Sequence, residues 1–213
     1  MKCPLCESRK AKRLCPAKAV QICPVCCGTK REVEINCPSD CIYLHSGREY
    51  ESAKLARTQP LPPHTKKLWE DDFLVRYQPA LIAISKLVTA TRVTLPELAD
   101  TDLLATIDSL LQTFQTLDKG IYYDFAPSAA TQKSLYLTLK RFLDGPSDTK
   151  LVSQPRLTAA ETVDCLQFLK EFSQTIALPR PKSRAFLDHL ESVAGGSLET
   201  SPEEPRLILP ADL

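Results

Sequence analysis

The 213-residue chain contains little glycine, little histidine and no long hydrophobic run. Its six glycines include no pair at phosphate-loop spacing, which argues against nucleotide binding through a glycine-rich loop. Its three histidines form no Ser/His/Asp or Cys/His arrangement of the kind that nucleophilic catalysis uses. The longest apolar stretch, residues 80–88, is interrupted by Ser85 and Lys86 and is too short to cross a membrane. We therefore expect no nucleotide cofactor, no membrane contact and no enzymatic activity.

The first residues also lack the apolar segment of a secretory signal peptide, because Met1-Lys2-Cys3 leads straight into cysteine motifs. Without such a segment, we expect a cytoplasmic protein whose thiols stay reduced. Dense cysteines in a reducing compartment are typical of metal ligands rather than of disulfides. A secreted disulfide scaffold is the disfavoured alternative.

Cysteine is the residue that the chain has in excess, and its distribution is uneven. Eight of the nine cysteines lie between Cys3 and Cys41, and Cys165 stands alone. Residues 1–45 are too few to bury an adequate apolar core, so this segment needs cross-links or metal ions. Cys165 shares a helical face with Leu169 and Phe172 and is expected in a hydrophobic core.

Eight cysteines are the number that two four-coordinate structural zinc sites require. Two Cys-Pro-x-Cys turns, residues 3–6 and 23–26, have the two-residue spacing that lets both sulfurs reach one metal ion. Because Cys26 and Cys27 are adjacent and point apart, an interleaved pairing is favoured over a sequential one. The expected ligands are, for site 1, Cys3, Cys6, Cys23 and Cys26, and for site 2, Cys15, Cys27, Cys37 and Cys41.

The connections between these cysteines give further expectations. Residues 20–22 and 32–35 have the composition to pair as a small β-hairpin. Pro38 at the first turn of a helix would place Cys37 and Cys41 one turn apart. His45 lies a further turn along and is a reserve ligand. Since the thiols fill both sites and leave no open position for water, zinc is expected to be structural rather than catalytic.

The cysteine pattern resembles the interleaved, or cross-brace, double-zinc modules of the B-box and HIT-type fingers. It differs from them because Cys37 and Cys41 stand where those families commonly use histidine, and because Cys15 has no close partner. Residues 22–41 also resemble the N-terminus of uncharacterised bacterial zinc-binding proteins. The resemblance implies metal binding and brings no known activity.

Basic residues are concentrated in the cysteine-rich part. Residues 1–57 contain 11 Lys and Arg against 6 Asp and Glu, whereas the rest of the chain is acidic. A basic head on an acidic body is typical of nucleic-acid contact, but zinc–thiolate centres carry negative charge that the same residues offset. The candidate phosphate contacts are Arg9, Lys10, Lys12, Arg13, Lys30 and Arg31.

The remainder of the sequence is typical of an all-α bundle. Apolar residues recur at three- and four-residue spacing from Leu103 to Leu117, and Thr158-x-x-Glu161 is a capping box. Ser46-x-x-Glu49 is read as another capping box, and Pro79 as the first turn of a helix. The predicted helices cover about 46–57, 66–77, 79–92, 103–119, 128–144, 158–176 and 182–194.

These patterns together predict a small zinc-stabilised module of knuckles, hairpin and helix, followed by a helical bundle. The expected boundaries are a two-zinc module over 1–57, a proline-rich linker over 58–65, five to six helices over 66–196, and a disordered tail over 197–213. The expected function is a non-enzymatic interaction protein that binds a protein partner or forms a homodimer. The alternative is a nucleic-acid-associated regulator. A proline-rich linker further predicts that chelation unfolds residues 1–45 and leaves the bundle intact.

Overall fold

Seven α-helices and one two-stranded hairpin form most of the part of the chain that the computed structural model describes, residues 1–58, 64–145 and 157–195. The predicted tail and residues 59–63 of the predicted linker lie outside these ranges. A short 3₁₀ helix, Lys66–Trp69, precedes the third α-helix. In chain order the elements are β1 Arg13–Cys15, β2 Val20–Ile22, α1 Pro24–Lys30, α2 Ile42–Thr58, α3 Asp71–Thr94, α4 Asp100–Asp118, α5 Ala130–Leu143, α6 Ala159–Ile176 and α7 Ala185–Gly195.

The predicted hairpin exists with a different partner strand. β2 pairs antiparallel with β1, with Cys15 opposite Val20, and not with residues 32–35. The reason is that α1 begins directly after β2 and turns the chain away. Residues 31–35 then curl back on the end of α1, where the Lys30 carbonyl accepts hydrogen bonds from the backbone N–H groups of residues 33, 34 and 35.

Helix α2 starts four residues before the predicted capping box. The N–H groups of Leu44 and His45 donate to the Cys41 carbonyl, so the first turn follows Cys41 directly. Ser46 is consequently an interior residue, and its hydroxyl donates to the Ile42 carbonyl instead of capping the helix. Pro38 lies in the turn before the helix and not in its first turn, although the Cys41 N–H donates to the Pro38 carbonyl.

Helix α3 is continuous through Pro79, where the sequence predicts a break between two helices. Proline in a helix interior removes one hydrogen bond and usually costs about 3 kcal/mol. Here Pro79 and Val75 are both exposed, so water is available to the Val75 carbonyl that loses its donor. The buried Phe73, Ala80 and Ile84 lie on both sides of the proline and hold the helix against its neighbours.

The remaining helices follow the apolar periodicity. The Thr158–Glu161 capping box is present, with the Thr158 N–H donating to the Glu161 carboxylate at 2.9 Å. Helices α3 to α7 enclose one hydrophobic core, in which Cys165 is fully buried as predicted. A second, smaller cluster of buried residues lies in the cysteine-rich part and consists of Cys3, Ala11, Cys15, Ile22, Cys23, Cys26 and Ile35.

The cysteine-rich part and the bundle share a polar interface. The Lys182 N–H donates to the Glu32 carbonyl at 2.8 Å, and the Arg180 guanidinium donates to the Arg31 carbonyl. Arg48 of α2 pairs with Asp188 of α7 at 2.6 Å. The helical bundle is therefore docked on residues 31–39 and on α2. We call residues 31–39 the docking segment.

Candidate metal centre

The four cysteines that the sequence assigns to site 1 come together in the structure. All four sulfurs of Cys3, Cys6, Cys23 and Cys26 lie within 4.8 Å of one another. Within the described ranges this is the only group of three or more Cys, His, Asp or Glu side chains that converges in this way. The thiols are free, and three of the four residues are buried. The sulfur geometry favours the interleaved pairing over a sequential one.

The sulfur spacing matches a tetrahedral metal site. Four sulfurs at about 2.3 Å from one zinc ion lie about 3.8 Å apart. The Cys6 and Cys23 sulfurs are separated by 3.9 Å, whereas a disulfide would require about 2.0 Å. Four cysteine thiolates in a closed group select a soft, tetrahedral ion, and zinc is the usual occupant of such structural sites. The residues present therefore fit zinc.

Two local turns place these thiols. In the first turn, the N–H groups of Cys6 and Glu7 both donate to the Cys3 carbonyl, and Glu7 adopts a positive φ of 51°. In the second turn, Pro24 begins α1 and the Cys26 N–H donates to the Cys23 sulfur at 3.3 Å. An N–H donor stabilises a thiolate, so the backbone supports the charged form that a metal ligand needs.

The electrostatics of the group favour a cation. The Ser8 hydroxyl, followed by the backbone amides of Arg9 and Ser8, lowers the pKa of Cys6 to about 5. Burial, followed by the other three thiols, raises the pKa of Cys26 to about 12. Four like charges at this spacing do not ionise together without compensation. A divalent cation supplies that compensation and holds all four as thiolates.

The second set of cysteines shares one cavity, although no three of its sulfurs lie as close together as those of the first set. Cys15, Cys27, Cys37 and Cys41 all line one cavity of about 10 Å³, close to the volume of a single water-sized sphere. Burial raises the pKa of Cys37, and the nearby Cys41 and Cys15 thiols raise it further, against a hydrogen bond from the Glu32 backbone. His45, the reserve ligand, is exposed on α2 and is not among the residues that line the cavity.

The candidate phosphate contacts divide into two groups. Arg9, Lys10 and Lys12 are exposed at the surface of the cysteine-rich part. The other three make contacts within the protein: the Arg13 guanidinium lies 4.8 Å from the Tyr43 ring centroid, Lys30 pairs with Glu34, and Arg31 is buried and donates to Glu51 at 2.9 Å. The first group is therefore the more accessible to an outside phosphate.

The partly buried ion pairs at the interface had no signal in the sequence. Asp188 accepts hydrogen bonds from Ser39 at 2.8 Å and Arg48 at 2.6 Å, and Arg92 pairs with it at 2.7 Å. Burial by itself raises the pKa of Asp188, but these partners outweigh it and lower the pKa. Asp188 lies 96 to 149 positions from these partners in the chain, so no local motif could have indicated the network.

No protein-family model, curated protein or solved structure matches this chain. None of the helices in the described ranges combines the length and apolarity that a bilayer crossing needs.

Proposed function

We propose that the protein is a non-enzymatic zinc-binding interaction protein, cytoplasmic in location, in which structural zinc shapes a surface for a protein partner or for a second copy of the chain. The observation that carries the proposal is the converged group of Cys3, Cys6, Cys23 and Cys26. Four thiols fill the coordination of zinc and leave no position for a reactive water. The role of the metal is accordingly to hold the fold.

A second zinc ion belongs to Cys15, Cys27, Cys37 and Cys41, which surround one small cavity. Together the two ions take the place of the core that so short a segment does not bury. The zinc-stabilised part then presents its exposed apolar side chains in a fixed arrangement. Among these are Leu14 and Ile42, which are 62 % and 68 % exposed.

Nucleic-acid binding is the second candidate function, and a specific observation favours it. Lys2 and Lys10 face each other in an isolated antiparallel bridge, and both are exposed. Like charges placed opposite each other are unfavourable unless an anion lies between them. Lys12 and Arg9 extend the same basic surface.

Two binding measurements on the zinc-loaded full chain separate these functions. For the first function, protein–protein interaction, sedimentation across a range of concentrations detects a homodimer. Affinity capture detects a protein partner that stays bound as the salt concentration is raised. The Cys6→Ser/Cys26→Ser variant should lose either interaction, because the surface needs the metal. Self-association and capture that both persist unchanged in this variant would contradict the first function.

For the second function, labelled duplex DNA and RNA are titrated at 50 and 200 mM salt. A Lys2→Ala/Lys10→Ala/Lys12→Ala variant should bind at least tenfold more weakly, with a reduced salt dependence, because phosphate contacts release counterions. Equal binding by the variant and the parent protein would exclude the basic surface as a nucleic-acid site.

A further inference from the structure

The docking segment is bounded by ligands of the second cysteine set. It follows Cys27 in α1, contains Cys37, and ends just before Cys41 at the start of α2. Its backbone carbonyls at residues 31, 32 and 34 accept hydrogen bonds from Arg180 and Lys182 of the bundle. Its side chains Asn36 and Ser39 donate to Glu97 and Asp188. The cavity between the cysteines and the bundle interface thus share one short stretch of chain.

The first cysteine site is placed differently. Within the described ranges, no hydrogen bond or ion pair joins residues 1–27 to helices α3 to α7. The first contact in chain order is the Gly28 carbonyl, which accepts from Arg180. A metal ion held by Cys3, Cys6, Cys23 and Cys26 would therefore have no direct polar connection to the described helices of the bundle.

The interface depends on accurate placement of the docking segment. Glu32 is 1 % exposed and has a positive φ of 53°, and its carboxylate accepts two hydrogen bonds from Arg48. The other oxygen of Glu32 is buried without a hydrogen-bond partner. Such a conformation persists only where the surrounding structure holds it, because both the backbone and the buried carboxylate are unfavourable by themselves.

We propose that a thiophilic divalent metal ion bound by Cys15, Cys27, Cys37 and Cys41 locks the docking segment, so that metal binding at this second set and docking of the helical bundle are energetically coupled. The proposal rests on the proposed function in that both require metal in the cysteine-rich part. Such an ion joins β1 and α1, which carry Cys15 and Cys27, to Cys37 within the docking segment and to Cys41 just after it.

Coupling of this kind is reciprocal. If the ion stabilises docking, docking must raise the affinity for the ion by the same factor. Weakening the interface on the side of the bundle, at a residue that is not itself a ligand, should then release one metal ion more easily than the other. The site can be tested in this way with all eight thiols intact.

Asp188→Asn is the variant that tests this, measured on the zinc-loaded full chain by competition with a zinc-chelating indicator. Removing the charge leaves Arg48 and Arg92 without their shared carboxylate. One zinc ion should bind at least fivefold more weakly, and the other within twofold of its original affinity. Glu191→Gln is the control, because Glu191 also lies on α7 and pairs with Arg92 but is 58 % exposed. Both zinc affinities should stay unchanged in this variant.

If Asp188→Asn does not fold, Ser39→Ala takes its place, because it removes only one hydrogen bond to the same carboxylate. The same zinc ion should then bind more weakly than the other, with a smaller difference between the two affinities. Single substitutions Cys37→Ser and Cys6→Ser assign the two ions. Cys37→Ser should also expose the Lys182 amide, raising its hydrogen exchange at least tenfold, whereas Cys6→Ser should change it less than threefold.

Two results would overturn the inference: equal weakening of both ions in Asp188→Asn, or a Cys37→Ser variant that keeps its zinc content and its protected Lys182 amide. Either result leaves the proposed function standing as long as Cys6→Ser loses zinc. Absence of zinc from the parent protein would instead contradict the proposed function itself.

Discussion

At the scale of single residues, cysteine spacing identifies the candidate metal centre, whereas long-range contacts determine the roles of the basic residues. The Cys-Pro-x-Cys motifs predict which thiols converge because two intervening residues restrict both sulfurs to one side of a turn. Arg31 shows the limit of this reasoning. Its position in a basic run suggests a phosphate contact, yet it is buried and bonded to Tyr43 and Glu51 of α2.

A substitution at Gly47 tests how much the Arg31 contact with α2 contributes to stability. A Cβ atom on Gly47 would overlap the Arg31 guanidinium. Gly47→Ala should therefore lower the free energy of unfolding by about 1–3 kcal/mol, because lost hydrogen bonds to a charged group outweigh the gain of about 1 kcal/mol in helix propensity.

The matched control is Gly28→Ala in α1, where nothing lies within 4 Å of the added Cβ. This substitution should be neutral or stabilise the protein by up to about 1 kcal/mol. Urea unfolding of both zinc-loaded variants gives the comparison. Equal changes in the free energy of unfolding for the two variants would mean that Arg31 moves aside without loss of stability.

Glu171 is a second residue whose role the sequence did not indicate. Its buried carboxylate accepts hydrogen bonds from the Thr65 N–H at 2.8 Å and from the Trp69 indole at 3.0 Å, and so joins the 3₁₀ helix to α6. Burial by itself raises the pKa of Glu171, but hydrogen bonds from Gln167, Thr65 and Trp69 outweigh it and lower the pKa.

A lowered pKa sets the direction of the pH dependence. The unfolded chain binds the proton more tightly, so this stabilisation is complete above the unfolded pKa of about 4.3 and is lost as the pH falls through the folded pKa. Glu171→Gln should be less stable than the parent protein at pH 7, and the difference should shrink towards pH 3. Urea unfolding at both pH values checks this, with the exposed Glu49→Gln as control. A difference that is independent of pH would contradict it.

At the scale of elements, periodicity predicts the helices of the bundle well and the boundaries near special residues poorly. The apolar face of α4 and the Thr158 cap of α6 are local signals, and both are present in the structure. The start of α2, the continuity of α3 at Pro79 and the partner of β2 depend on packing against distant residues. A local pattern carries no information about such packing.

Helix α7 illustrates how one element caps another. Asp100, the first residue of α4, is buried and accepts hydrogen bonds from the N–H groups of Phe186 at 3.2 Å and Leu187 at 3.0 Å. Asp100→Ala should lower the free energy of unfolding by about 2–3 kcal/mol, since it leaves buried donors unsatisfied and removes a favourable charge at a helix N-terminus.

Asp108→Ala on the same helix is the matched control. Asp108 pairs with Lys170 at 2.7 Å, but its side chain is 45 % exposed, so the loss should stay below about 1 kcal/mol. Chemical unfolding, monitored by circular dichroism, measures the free energy of unfolding of both variants. Equal destabilisation by the two substitutions would show that the capping of α7 does not depend on Asp100.

At the scale of the whole molecule, the polar interface changes the expected response to metal removal. Proline in the linker suggests independent halves, yet Arg48 and Glu51 of α2 pair with Asp188 and Arg180 of the bundle region. Chelation should therefore lower the melting temperature of the helical signal by several degrees as well as unfolding the cysteine-rich part, since about 1 kcal/mol corresponds to roughly 2–4 °C in a chain of this size. A helical melting temperature that is unchanged by chelation would favour independent halves.

We expect closed metal–thiolate sites, rather than disulfides, to hold the first 45 residues together. Native mass spectrometry of the purified chain tests it most directly, because one spectrum reports both bound metal and the oxidation state of the thiols. We expect two zinc ions per chain with all nine cysteines reduced, and one ion fewer after Cys3→Ser/Cys6→Ser. A metal-free mass reduced by about 2 Da per cysteine pair would contradict it.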